Sequence, residues 1–433
     1  MGAFFGMRGT GDWSTTGEQP ESWREGILYL YPNGDAPLTA LLAKMKSAKV
    51  NDPKFHWFDK LLPTQRATAT EVYTDALLSS AYASGGVDGT ALYIKMSLAD
   101  VKNFRVGHQV LLRVSTDYNG DRNARVIAVT QNGASSFITV NLMETDTSNK
   151  IASCDTVLII GSVNAEGANM PDAISYDPNE HYNYTQIFRT ALEITRTARR
   201  TKLRTKDAYL EAKREALELH SIEMEKAFFW GKRWAGTGDN GKPIRASGGL
   251  IEWITSSTLG GGSVQGVVSD YYTDTDFSGR TWEDGGEEWL DTHLEEIFRY
   301  GSEERMAFCG STAILAINKL VKLYGNYQLM PKTVSYGIKV MEWVTPFGTL
   351  YFKRHPLFSY ETTNSRSMVI FDPKDLEYKY IDDTSFYDDP EKKNTGWTRK
   401  DATKEEYLTE CGLEMHFPQK CGYLNGFGRD NSV

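Results

Sequence analysis

Cysteine is scarce in this chain of 433 residues: Cys154, Cys309, Cys411 and Cys421 stand far apart, and none completes a Cys-x-x-Cys pair. That excludes a disulfide framework and reads as buried, reduced thiols. Long apolar runs are missing too. TVLIIGSV is among the longest, well short of the ~20 residues that a bilayer-spanning helix needs. The opening MGAFFGMRGTGDW lacks the charged start and apolar centre of a signal peptide, and Gly6 stands where a myristoylation motif has Ser or Thr. The expectation is a protein made and used in a cytosol. An excess of basic charge is also absent: 57 acidic residues against 48 basic leave a formal charge of -9, which argues against strong sequence-independent affinity for DNA. Length and a hydrophobic content of 40% are those of a globular protein with two or three domains.

Reactive constellations are missing as well. The seven histidines offer no HExxH or paired-ligand spacing, and no GxSxG nucleophile turn occurs. Gly236-Thr-Gly-Asp-Asn-Gly241-Lys242-Pro243 falls short of a phosphate-binding loop, because Pro243 replaces the magnesium-binding hydroxyl and the segment follows a helix rather than a strand. Asp274-x-Asp276-x-Ser278-Gly279 starts like a calcium loop, yet its twelfth position is Gly285 instead of a bidentate glutamate. His416 near Cys411 and Cys421 lacks a fourth metal ligand. Pairs such as Glu287-Glu288 and Glu295-Glu296 read as solvated helix surface. No catalytic residue, cofactor or metal site is expected.

What the chain does carry is architecture. From Tyr182 to Gly231 a Thr- and Arg-rich extended segment feeds one long charged helix. Thr205 is the expected N-cap, with Asp207 in the first turn at the positive end of the helix dipole. Ala208, Ala212 and Ala216 share a stripe, Leu210, Leu217 and Met224 recur every seven residues, and Gly231 stops the helix. A helix over 205–230 is roughly 39 Å long, enough to brace a subunit.

Ahead of it, residues 1–51 scatter Phe4, Phe5, Trp13 and Trp23 through a Gly-rich arm, and Asp35 and Pro37 then open a short helix with Leu38, Leu41, Leu42 and Met45 on its apolar face. Such an arm either clasps a neighbouring subunit or packs on its own domain. FHWF reads as a strand, with LLPTQRATATEVYTDALL an irregular excursion after it and HYNYTQIF a second extended run further on. Between them ALYIKM, QVLLRVS, ARVIAVT, SFITVNLM and DTVLII are five short β-branched runs separated by turns, a small barrel or sandwich over 86–161. It reinforces contacts, binds outside ligands or is inert bulk.

After the long helix, 232–277 reads as loop with short strands, GLIEWI among them. A helix begins near Glu283 with Leu290, His293, Leu294, Ile297 and Phe298 on one face and ends at Gly301. ERMAFCG reads as a strand, and Ser311 caps a helix with Ile314, Ile317, Leu320, Val321 and Tyr324 inward, closed by Gly325. IKVMEWV and TLYFKRH form a hairpin around TPFG, and SMVIFD, LEYKYI and GLEMHF are further strands. Arg189, Arg196, Arg199, Arg200, Lys202, Arg204 and Lys206 form the one basic concentration. It suits either DNA phosphates or acidic protein surface.

GTGDW, PESWREGILYLYPNGDAPLTALLAKM, FHWFDKLLP, HYNYTQIFRTALEITRTARRTKL, HPLF and FDPKDLEYKYID, taken in order, resemble the major capsid proteins of tailed double-stranded DNA bacteriophages over most of the chain. The resemblance implies an α+β Hong Kong 97-type fold. Its parts would be an N-terminal arm (1–51), an extended loop (52–85 and 162–186) carrying the inserted β module, a peripheral domain (187–244 and 356–433) with spine helix 205–230, and an axial domain (245–355). It implies a structural, non-enzymatic protein of the virion. Copies would assemble in the cytoplasm of a bacterial host into pentamers and hexamers of an icosahedral head around double-stranded DNA. A portal protein would sit at one vertex, and scaffolding, maturation protease and decoration proteins are further partners; no membrane is involved. Trp13, Trp23, Phe55, Trp57, Phe58, Arg196, Arg199, Arg200, Arg204, Leu210, Leu217 and Met224 are the expected assembly residues. A carbohydrate-binding or carbohydrate-acting protein, prompted by 10 Trp, 23 Tyr and the β module, is the rival reading.

Overall fold

The computed structural model describes residues 46–60, 65–116, 120–147, 150–167, 169–201, 207–256, 265–324, 330–333, 339–360, 364–387 and 402–433. Two compact units emerge, one built from the chain up to Asp59 together with Asn179–Val433, the other from Lys60–Pro178. The first unit opens with β1 (Ser47–Lys49) and β2 (Lys54–Asp59).

The second unit is a closed barrel of β3 (Arg66–Tyr73), β4 (Ala91–Met96), β5 (His108–Arg113), β6 (Arg122–Thr130), β7 (Phe137–Leu142) and β8 (Thr156–Ser162), in the order β3-β4-β7-β6-β5-β8. Alternation drives it. Leu92, Ile94 and Met96 of β4 point inward with Val110, Leu112, Val126, Ile138 and Val140, while the residues between them face out. A short helix, α1 (Leu98–Val101), is capped by Ser97 and adds Val101 to this core. The sequence shows five strands where the structure has six. The excursion expected at RATATEVY is β3, which closes the barrel by pairing Arg66 to Thr68 with Leu158 to Thr156. Its inward residues at that end are Ala67 and Ala69, too small to raise a hydrophobic alternation signal.

Returning to the first unit, β9 (Asn179–Tyr184) pairs antiparallel with β2, with Trp57 opposite His181. Next, β10 (Gln186–Thr195) leads through α2 (Arg196–Arg200) to the long helix α3 (Ala208–Trp230). This helix starts later than expected. Asp207 is its N-cap, accepting from the Tyr209 N–H at 2.9 Å, and Thr205 lies outside the described residues. Gly231 ends it, in a spot where a Cβ would meet the Ala227 carbonyl oxygen at 2.4 Å.

A hairpin, β11 (Trp234–Thr237) and β12 (Pro243–Ala246), precedes α4 (Leu250–Thr255). GLIEWI is therefore helical, not a strand: Leu250, Trp253 and Ile254 bury one helical face, and a six-residue apolar run does not distinguish the two by period. The remaining elements are β13 (Val267–Asp270), α5 (Trp282–Phe298), β14 (Glu304–Cys309), α6 (Ser311–Tyr324), β15 (Met330–Thr333), β16 (Lys339–Thr345), β17 (Gly348–Arg354), α7 (Pro356–Tyr360), β18 (Met368–Phe371), β19 (Leu376–Tyr387), β20 (Ala402–Met415) and β21 (Gly422–Asn425).

They form a four-stranded sheet, β1-β19-β20-β10, and a seven-stranded sheet, β13-β21-β18-β14-β17-β16-β15. β18 and β21 thus join the strands expected of the axial region, not the peripheral segment 356–433 to which the sequence reading assigned them. The chain crosses between the two sheets more than once, which contiguous boundaries miss. Met306, Phe308, Val369 and Phe371 of the larger sheet pack in one core with Met224, Phe228 and Phe229 of α3 and with α4. Ala307, Cys309, Met368 and Ile370 face a second core with α5 and α6.

Inside the first core, the Glu225 carboxylate of α3 meets the His355 Nε2 at 2.7 Å with both side chains fully buried. Phe229, Phe308 and Phe358 rings surround the imidazole at 4.8–5.5 Å. Removing one partner of such a pair leaves the other without its bond in a dry site. Glu225→Ala is expected to lose about 3–5 kcal/mol of stability, measured as a lower urea midpoint with unchanged slope; a change below about 1 kcal/mol would refute this role for the pair.

Candidate assembly interface

Strand alternation divides the aromatic residues of FHWF. Phe55, Trp57 and Asp59 turn inward, and His56 and Phe58 outward. Phe55 and Trp57 are buried in the core of their own chain, where the Trp57 ring lies 5.6 Å from Trp253. Phe58 is 63% exposed and remains available.

The heptad ridge of the long helix is divided in the same way. Leu210 and Leu217 are 62% and 41% exposed, whereas Met224 is buried. An α-helix drifts by ~20° per heptad, and the two ends of α3 have different surroundings. His220, Met224, Glu225, Phe228 and Phe229 near its C-terminus are enclosed by both sheets' core, while the N-terminal half packs lightly through Ala216, Tyr209 and Ala212 against Leu192, Tyr407 and Phe386. Met224 therefore belongs to the intrachain core.

Arg196, Arg199 and Arg200 all sit on α2 and are exposed. The Thr195 hydroxyl caps this turn by accepting from the Ala198 N–H, and the Arg199 guanidinium lies 4.3 Å from the Tyr209 ring centroid. Arg189, also in the basic run, is held by Glu406 in a two-pronged pair at 2.7 and 2.9 Å. Trp13, Trp23 and Arg204 lie outside the described residues.

One charged cluster escaped the sequence reading. His416, just past β20, donates from Nδ1 to Asp59 of β2 at 2.6 Å and from Nε2 to Glu414 at 2.9 Å. Lys379 of β19 sits 3.0 Å from Glu414 and 3.1 Å from Glu377, and His181 of β9 lies 3.7 Å from Asp59. Both ring nitrogens facing carboxylates means the charged imidazolium is the form that fits. The hydrogen bond to Asp59, then that to Glu414, hold the His416 pKa up to about 9. Asp59 precedes His416 by 357 positions, beyond any motif.

The near-miss motifs resolve into ordinary structure. Gly236 to Pro243 is the β11–β12 hairpin. Asp274 caps a short turn and accepts from the Trp289 Nε1 at 3.0 Å, and Gly285 is buried within α5. Cys411 and Cys421 are buried free thiols, each pushed up to about 12 chiefly by burial. Among the described residues no group of three or more His, Cys, Asp or Glu is arranged to hold a metal ion, and no helix is long and apolar enough to cross a membrane.

A family model described as SU10 major capsid protein matches residues 9–428. The major capsid protein of Pseudomonas phage PaMx41 is 24% identical over 419 residues, covering 94% of this chain and 92% of the relative. Among solved structures, one from Mycobacterium phage Bobi superposes with a TM-score of 0.45 at 8% identity, covering 96% of this chain and 98% of the other. The capsid of a native GTA particle does so with a TM-score of 0.40 at 9% identity, covering 98% and 97%.

The His416 cluster makes stability depend on pH. A pKa raised in the folded state contributes stability that is complete below the ordinary histidine value near 6.5 and is lost as pH rises through about 9. The thermal midpoint is expected to fall between pH 6.5 and 9.5, and His416→Gln should flatten that part of the profile. A wild-type profile that is level across this window, or an unchanged slope in the variant, would exclude the cluster as its source.

Proposed function

The chain belongs to the SU10 major capsid protein family, and from that membership we propose that its copies form the pentamers and hexamers of an icosahedral phage head enclosing double-stranded DNA. Its role is structural and its place is the capsid of the virion. The observation that carries the reading is the match across residues 9–428, nearly the whole chain.

The mechanism is multivalent burial. Phe58, Leu210, Leu217 and Leu219 are large apolar side chains at the surface of the first unit, and an assembly with several contacts per subunit gains more than any single contact provides. A Hong Kong 97-type arrangement is supported by a 23-residue helix bracing a long-stranded sheet, by the β2–β9 ribbon and by a separate helix-covered sheet. The Lys60–Pro178 barrel is the module carried on the extended loop. Arg196, Arg199 and Arg200 dock on acidic surface of an adjacent subunit, while packaged DNA lies nearby without sequence-specific contact. A portal protein, scaffolding, a maturation protease and decoration proteins are the remaining proposed partners, and the chain itself performs no catalysis.

The carbohydrate reading draws no support from the relatives. Among the described residues Trp57, Trp253, Trp282, Trp289 and Trp343 are buried, so these five present no stacking platform.

Negative-stain images of the purified chain, alone and co-expressed with the head-assembly proteins of its phage, test the proposal. Shells or ring-shaped capsomers are expected, and a persistent monomer under both conditions would refute it. Within that assay, Arg199→Glu with Arg200→Glu should block shell formation while leaving the circular-dichroism spectrum and melting curve of the monomer intact. Unaltered shell yield would remove these arginines from the interface.

A further inference from the structure

Two neighbouring helices on the outer face of the seven-stranded sheet carry opposite charge. α5 reads WEDGGEEWLDTHLEEIF, with carboxylates on every turn and no Lys or Arg. Glu287, Glu288, Asp291 and Glu295 line, with Thr292 and Phe347, an open cleft of about 580 Å³. Arg280 and Arg299 reach Glu288 and Glu295 at 2.5 and 2.6 Å from beyond the helix ends, so part of the negative charge is already answered. Burial, together with the charge of Glu287, raises the Asp291 carboxyl, and an added cation in the cleft would favour its ionised form. Phe347, 38% exposed, gives the cleft an apolar wall, and Val344 of the same hairpin is 66% exposed.

α6 reads STAILAINKLVKLY and contains no acidic residue. Lys319 and Lys322 are exposed, and Leu315 and Leu323 are 55% and 56% exposed. Positions 315, 319, 322 and 323 make one helical stripe, basic and apolar together. The opposite stripe, Ala313, Ala316, Ile317 and Leu320, is fixed in the core beneath. α6 therefore cannot roll its outward stripe into the cleft of its own chain, and among the described residues the stripe stays exposed.

We propose that the outward stripe of α6 in one copy docks into the α5 cleft of the next copy, with Lys319 and Lys322 against the cleft carboxylates and the leucines against Phe347. This rests on the capsid reading above and names the contact by which neighbouring subunits recognise one another. It is an amphipathic helix set against a groove, a recurring mode of recognition. Two different patches meet, so each copy offers one of each and the contact is heterologous. Repeated about an axis it closes a ring. Opposite charges select the correct partner and speed the encounter, and the apolar contacts hold the docked pair.

The test is a charge exchange in the full-length chain. Lys319→Glu with Lys322→Glu, and separately Glu287→Lys with Glu288→Lys, should each lower the yield of rings or shells in sedimentation and negative stain by roughly tenfold or more. The chain carrying all four changes should recover assembly, because the attraction is restored with its polarity reversed. Circular dichroism and melting of each monomer establish that it is folded, and Lys319→Gln with Lys322→Gln gives a milder variant with the same expected direction. Wild-type shells accompanied by indifferent lysine variants, or folded variants that the fourfold exchange fails to rescue, would overturn the docking while leaving the capsid reading standing. Normal shells that merely retain less DNA would also overturn it, in favour of lysines that face nucleic acid. A wild-type chain that forms no assembly under any condition would overturn both.

Discussion

The seven-stranded sheet has no solvent face over β14 and β18, and this constraint organises the rest of the first unit. Alternate residues of β14 send Met306 and Phe308 to one core and Ala307 and Cys309 to the other. A strand buried on both sides must find cover on both sides. α5 and α6 supply one, while α3, α4 and α7 supply the other with help from the four-stranded sheet. The long helix is thus more than an outer brace. Its last two turns, with Phe228 and Phe229 fully buried, form part of the core that the larger sheet requires, and its first turns are covered less fully, by Leu192, Tyr407 and Phe386 of the smaller sheet.

That asymmetry explains what could be read from the sequence. The strong periods were legible: the extent of α5 and α6, the hairpin of β16 and β17, and most of the barrel. The pairing of FHWF with the segment ending at Tyr184 was implied by the family resemblance and by no period in the sequence. β3 was not, because alanine and threonine carry little hydrophobic contrast, and neither was α4, whose six residues are too few to display a period. The division into sheets was only partly legible. MVIF at β18 announces a buried strand but not which sheet it enters, since that is decided by partners such as Phe308 opposite Val369.

The expected assembly residues fared according to the same logic. Composition singles out large aromatics, but an aromatic on a half-buried strand is as apt to fill its own core as to await a neighbour, and only the register of β2 separates Trp57 from Phe58. The exposure of the α2 arginines was easier to read, because a run of like charges has no interior in which to hide. The His416 cluster was invisible for the opposite reason. Its members come from β2, β9, β19 and β20, and no local pattern joins them.

The ribbon of β2 and β9 has a consequence for how the barrel came to be carried. Asp59 and Asn179 face each other as the last rung of that ladder, so the chain departs and returns at adjacent points. A two-residue hairpin turn would satisfy the same rung. The barrel is therefore an insertion that the ladder does not need for its own pairing, and the rung is a point at which a different folded domain can be joined.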